Sequence, residues 1–98
     1  MNKNLKKERF DDVYKAILTL ENLDECVAFF EDLLSVSELR AMEQRYQVAE
    51  LLEAGTVYSV ILEKTGASSA TISRVNRTLQ GTGEGYRLAM ERRRKHEQ

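Results

Sequence analysis

The sequence contains no proline, one cysteine and one histidine in 98 residues. Without proline, no position forces a kink or removes a backbone donor, so helices run until other signals stop them. One cysteine excludes an internal disulfide framework, and one histidine leaves no credible set of zinc ligands. No apolar run approaches the roughly 18 residues that a membrane-spanning helix needs. The basic start, MNKNLKKERF, leads into an acidic amphipathic stretch rather than the apolar core of an export signal. A cytoplasmic location is the expectation. The remainder is globular in composition, 42% hydrophobic and 32% charged, and its length suits one domain.

The formal net charge of −1 argues against a nucleic-acid partner until its distribution is considered. Residues 21–53 carry nine acidic and two basic side chains, whereas residues 54–98 carry eight basic and four acidic. Residues 1–20 are mildly basic, with five against three. An acidic middle followed by a basic C-terminal half is a polarised molecule, and one basic face is what phosphate binding requires.

Apolar residues recur at helical spacing, and nothing alternates with period two for long enough to build a sheet. Phe10, Val13, Tyr14, Ile17 and Leu18 form a first stripe. Asn22 with Glu25 fits a reciprocal helix start before Leu23, Cys26, Val27 and Phe30, and Ser35 with Glu38 repeats it before Leu39, Met42, Tyr46 and Ala49. The third helix should end near Ala54, where Gly55 supplies a left-handed stop. Thr56 to Thr65 reads as a fourth helix with Val57, Val60 and Ile61 inward. Gly66 ends it, and Ser68 caps a fifth whose buried side is Ile72, Val75 and Leu79. After Gly81, Gly83 and Gly85 a sixth helix starts near Tyr86, turns Tyr86, Ala89 and Met90 inward, and dissolves into Arg92-Arg93-Arg94-Lys95. There is no internal repeat.

The first two helices carry large apolar residues on wide arcs, with Phe29 beside Phe30 and Leu33 beside Leu34. Adjacent helical residues lie about 100° apart, so one partner does not cover both. Self-association through a two-fold interface covers the second side most economically. The division expected is one all-helical domain over residues 1–98, with dimerisation helices in 1–54, a helix-turn-helix in 56–80, and a C-terminal helix and basic tail in 84–98.

The stretch from Thr56 to Leu79 carries the functional signal. Two short helices joined by a glycine-bearing turn form a helix-turn-helix. With Ile72, Val75 and Leu79 inward, the opposite side of the second helix shows Ser69, Ala70, Ser73 and Arg77. Small or hydrogen-bonding side chains suit a helix that enters the major groove, where bulk would hold it off the base edges. Ser68 and the free N–H groups of the first turn suit a phosphate, and Lys64, Arg74 and Arg77 are candidate phosphate or base contacts. Glu63 is the one acid in this stretch.

The segments LLSVSELRAMEQRYQVAELLEAG and TGASSATISRVNRTL resemble the Trp repressor superfamily, most closely its TrpR-like YerC/YecD branch. The resemblance runs at least from Leu33 to Leu79 and extends through LDECVAFFEDLL and GEGYRLAMER. It implies an all-helical, intertwined homodimer with two helix-turn-helix units that contact double-stranded DNA at half-sites about one turn apart. It also places Thr71, within the Ala70-Thr71-Ile72-Ser73-Arg74 core, in the DNA-binding segment. In the tryptophan-binding members two arginines hold the ligand, and these match Arg45 and Arg74, while Ser35 matches a position whose backbone closes the pocket. Those members have glycine where this chain has Val75, whose branched side chain fills part of that cavity. The segment between Gly55 and Gly66 is also one residue shorter. DNA binding carries over; a small-molecule effector stays open.

Plainer readings accompany each candidate. Arg45 and Arg74 read first as structural partners of acids such as Glu43, Glu50 or Glu53, next as a small-molecule site and last as direct phosphate contacts. Lys64 and Arg77 are otherwise solvated charges, and Ser69, Ala70 and Ser73 an exposed face of small residues. Arg92 to Lys95 reads as a frayed, solvated end sooner than a phosphate arm, Cys26 as a buried small hydrophobe and His96 as an ordinary surface residue. Glu25, Glu31 and Asp32 form a solvated acidic face; with no histidine or nucleophile beside them, nothing supports catalysis, a metal or a cofactor. The sequence therefore reads as a sequence-specific DNA-binding regulator, a repressor occupying a pseudo-palindromic operator. Its rivals are a ligand-gated co-repressor and a helical adaptor that binds protein.

Overall fold

A computed structural model describes residues 10–97. Six helices follow in order: α1 (Asp11–Ile17), α2 (Leu23–Leu33), α3 (Val36–Glu53), α4 (Tyr58–Thr65), α5 (Ser69–Gln80) and α6 (Glu84–His96). No strand occurs among the described residues, as the helical periodicity predicts. The basic N-terminal segment noted above lies outside them. The chain divides into two compact units, Met1–Val36 and Ser37–Gln98. The second unit takes in α3, which supplies Val48 and Ala49 to the core of the helix-turn-helix.

Within the first unit, α1 and α2 bury no residue. Phe10 (74% exposed) and Leu18 (83%) face solvent, and Leu23, Val27 and Leu33 are also exposed. Phe29 and Phe30 meet edge to face with centroids 5.5 Å apart, a favourable aromatic geometry. Cys26, expected to be buried, is only partly covered in the single chain, in keeping with an α2 that buries none of its residues. The start of α2 follows the expected capping in one half only. Asn22 accepts from the Glu25 N–H at 2.9 Å, but Glu25 accepts from the N–H of Glu21 rather than of Asn22. The reciprocal bond has moved one residue outward, to the N–H of the residue before the N-cap.

In the second unit, Val48 and Ala49 of α3, Ile61 of α4, Ala67 of the turn, and Ile72, Val75 and Leu79 of α5 form one buried cluster. Leu51 and Leu52 of α3 and Tyr86 and Met90 of α6 close its sides. The end of α3 is a Schellman motif: the Thr56 N–H reaches the Leu51 carbonyl and the Gly55 N–H the Leu52 carbonyl, each at 3.0 Å, with Gly55 at φ 82°. This turn holds Thr56 and Val57 out of α4, which starts at Tyr58. Val57 therefore sits at the N-cap, 62% exposed, and does not join Ile61 in the core.

Helix α6 also departs from the expectation. It begins at Glu84 and takes Gly85 into its first turn, because Gly83 in the left-handed region already supplies the N-cap. Tyr86 and Met90 pack inward while Ala89 stays exposed. The basic tail is not a frayed end, since Arg92 to Lys95 are helical. Arg93 reaches back to Glu50 of α3 at 3.1 Å, bonds Glu97 at 2.9 Å and lies over the Tyr46 ring. Hydrogen bonds to Glu97 and then Tyr46, with the charges of Glu97 and Glu50, hold this guanidinium's pKa above its ordinary value. Cationic residues crowding the last turn also complement the helix dipole.

Gly83 tests the α5–α6 junction. Its φ is 54°, and an added Cβ would lie 3.0 Å from the Leu79 Cα. At Gly55, φ 82°, the same atom meets open space. Gly83→Ala is expected to lower stability by about 2 kcal/mol and Gly55→Ala by about 1, read as shifts in urea midpoint. Equal losses would show that the close approach to Leu79 carries no cost.

Candidate nucleic-acid interface

The turn between α4 and α5 is built by Thr65 and Gly66. Gly66 takes φ 70° at the C-cap of α4, and its N–H bonds the Leu62 carbonyl at 2.9 Å. The Thr65 hydroxyl donates to the Ile61 carbonyl at 2.8 Å and accepts the Ala67 N–H at 3.0 Å. Gln44 of α3 donates to the Thr65 carbonyl at 3.1 Å. Every polar group of the reversal that these bonds touch is satisfied, so Ala67 can be buried within it. Sequence reasoning found Gly66 but missed Thr65 and Gln44. A threonine in the last turn before a helix-ending glycine was the available signal, since its hydroxyl bonds back to the carbonyl four residues earlier.

Ser68 caps α5 as expected, accepting the Thr71 N–H at 3.1 Å, with its hydroxyl 3.2 Å from that of Thr71. Thr71 is half-buried at the edge of the helix. Ser69, Ala70, Ser73, Arg74 and Arg77 are all exposed. At about 100° per residue these five span an arc of about 140°, centred opposite Ile72, Val75 and Leu79. The side chains of Ser69 and Ser73 make no hydrogen bond among the described residues, and Lys64, Arg74 and Arg77 make no ion pair there. From Lys64 to Gly83 the chain has no acidic residue. The face is thus exposed, polar, small at its N-terminal end and cationic beyond it.

The residues grouped as an effector pocket fare differently. Arg45 and Arg74 are exposed, but the expected structural pairing fails: Glu50 is engaged by Arg93 and Glu53 by Arg87, so those acids hold α6 instead. Val75 is 2% exposed and belongs to the core cluster. Ser35 precedes α3 in the first unit. A cleft of about 590 Å³ lies elsewhere, between the end of α3 and α6, lined by Glu50, Glu53, Met90, Arg94 and neighbours. A smaller one of about 290 Å³ is lined by Gln47, Glu50, Leu51, Lys64 and Thr65. Neither includes Ser35, Arg45, Arg74 or Val75.

Comparison with known proteins gives consistent matches. The Trp repressor protein family matches residues 8–94. The uncharacterized protein YerC of Bacillus subtilis (strain 168) is 41% identical over 88 residues, covering 90% of this chain and 85% of its own. The crystal structure of a proposed Trp repressor from Staphylococcus aureus superposes with a TM-score of 0.86 at 43% identity, covering 92% of this chain and 93% of that one. A TrpR-like protein from Eubacterium eligens ATCC 27750 gives a TM-score of 0.83 at 44% identity, covering 94% of each chain.

The α5 cap is directly testable. Ser68→Ala removes the acceptor for the Thr71 N–H and is expected to cost about 1 kcal/mol of stability in chemical denaturation. An unchanged midpoint would mean that water satisfies this N–H equally well.

Proposed function

The chain belongs to the Trp repressor protein family, and from that premise we propose that it is a homodimeric, sequence-specific DNA-binding transcriptional regulator. One observation carries this reading: the outward arc of α5 is free of covering side chains and internal bonds while its inner arc is locked in the core. Helix α5 enters the major groove, where Ser69, Ala70 and Ser73 approach base edges. Lys64, Arg74 and Arg77 meet phosphates or the flanking bases, and α4 crosses the backbone. Phosphate contacts supply much of the affinity, and the small polar face selects sequence.

The second copy follows from α1 and α2. Neither buries a residue, and Phe10, Tyr14, Leu18, Leu23, Val27 and Leu33 in and beside them are exposed, apolar surface of the kind that suits an interaction site. An intertwined two-fold dimer covers them and sets two α5 helices about one DNA turn apart. Such a dimer represses by occupying a pseudo-palindromic operator in the cytoplasm.

A gel assay with duplex DNA at rising salt separates this reading from a protein-binding adaptor. Binding should weaken steeply with salt; indifference to DNA at low salt would favour the adaptor. Arg77→Ala should weaken binding about tenfold and lower the salt slope by about one, with the dimer intact by sedimentation. The ligand-gated reading is tested by calorimetry with tryptophan. No heat is expected, because Val75 occupies the core where a ligand would need space. Tight binding would overturn that steric argument.

A further inference from the structure

The guanidinium of Arg87, near the start of α6, touches three elements at once. Its Nη2 donates to the Leu79 carbonyl at 2.9 Å and its Nη1 to the Thr82 carbonyl at 2.8 Å. Its Nε donates to the Glu53 carboxylate at 3.2 Å. Leu79 is in the last turn of α5, Thr82 lies in the turn leaving it, and Glu53 ends α3. The planar fork of one side chain thus ties the C-terminal end of α5 to the C-terminal end of α3, a geometry that a lysine ammonium does not reproduce.

This matters because of what the core leaves undetermined. Ile72, Val75 and Leu79 decide which face of α5 points inward, but side-chain packing alone leaves helix crossing angles scattered by about 15–20°. Hydrogen bonds are directional and set an angle. The Arg87 clasp grips α5 at Leu79, and Ser69 lies ten positions away, about 15 Å at 1.5 Å per residue. A tilt of about 10° at the clasp displaces Ser69 by about 3 Å, whereas productive contacts tolerate about 0.5 Å. Arg87 and Glu53 are about half exposed, so their ion pair alone contributes little; the two carbonyl bonds give the clasp its rigidity.

We propose that Arg87 is a positioning residue for base reading: without touching DNA, it holds the angle at which α5 presents Ser69, Ala70 and Ser73. This rests on the DNA-binding reading above.

The test uses the full-length protein. Duplexes enriched by the wild type from a random pool serve as the preferred probe, and a mixed-sequence duplex as the non-specific one. Arg87→Met should bind the preferred probe at least tenfold more weakly, with non-specific affinity changed less than twofold and the salt slope unaltered. Arg87→Lys, which keeps the charge, should lose nearly as much. Should Arg87→Met not fold, Arg87→Lys and Glu53→Gln carry the test, the latter with a loss of about threefold confined to the preferred probe. Parallel losses on both probes, full rescue by lysine, or unchanged preference in folded variants would overturn the clasp while leaving DNA binding intact. Failure of the wild type to enrich any duplex would overturn the DNA reading, and the clasp with it.

Discussion

The burial of Ile72, Val75 and Leu79 against Val48, Ala49 and Ile61 is the contact on which the rest of the second unit depends. These side chains recur at i, i+3 and i+7, so they commit one narrow arc of α5 and release the rest to solvent. A helix buried on two sides would have no reading face, and one buried on none would have no fixed orientation. The turn at Thr65 and Gly66 is the local requirement for this packing, because it returns the chain sharply enough for α5 to lie on α4.

Two sets of cationic side chains sit in contrasting environments. Arg87 and Arg93 lean on Glu53 and Glu50, and through them α6 is fastened along α3. Lys64, Arg74 and Arg77 have no such partners among the described residues and sit within a stretch lacking acids. The overall charge of −1 therefore conceals an acid-free stretch from Lys64 to Gly83 whose charged side chains, Lys64, Arg74 and Arg77, are all cationic. Long-range attraction of a polyanion depends on that local excess and not on the sum.

Much of this was legible in the residues themselves. The stripe in α5, the stop at Gly66 and the Ser68 cap each follow from short-range rules that tertiary context did not override. The errors arose where a second element intervened. Val57 looked like a helix residue, but the Schellman turn at Gly55 delays α4 by two positions. Arg92 to Lys95 looked like a solvated end because Glu50 and Tyr46, which anchor Arg93, lie more than forty residues away in sequence. Arg87 was invisible for the same reason: two of its three acceptors are backbone carbonyls, which carry no sequence signal. Cys26 and its neighbours show the converse. Their apolar pattern is clear, yet the single chain leaves Cys26 only partly covered and Leu23 and Val27 exposed.

The proposed function places DNA on the outward arc of α5. Mapping backbone amide resonances of the isotopically labelled protein during titration with duplex DNA addresses it most directly. Shifts concentrated from Lys64 to Arg77, with α1 and α2 nearly silent, are expected. Shifts centred on α1 and α2, with α5 undisturbed, would contradict it.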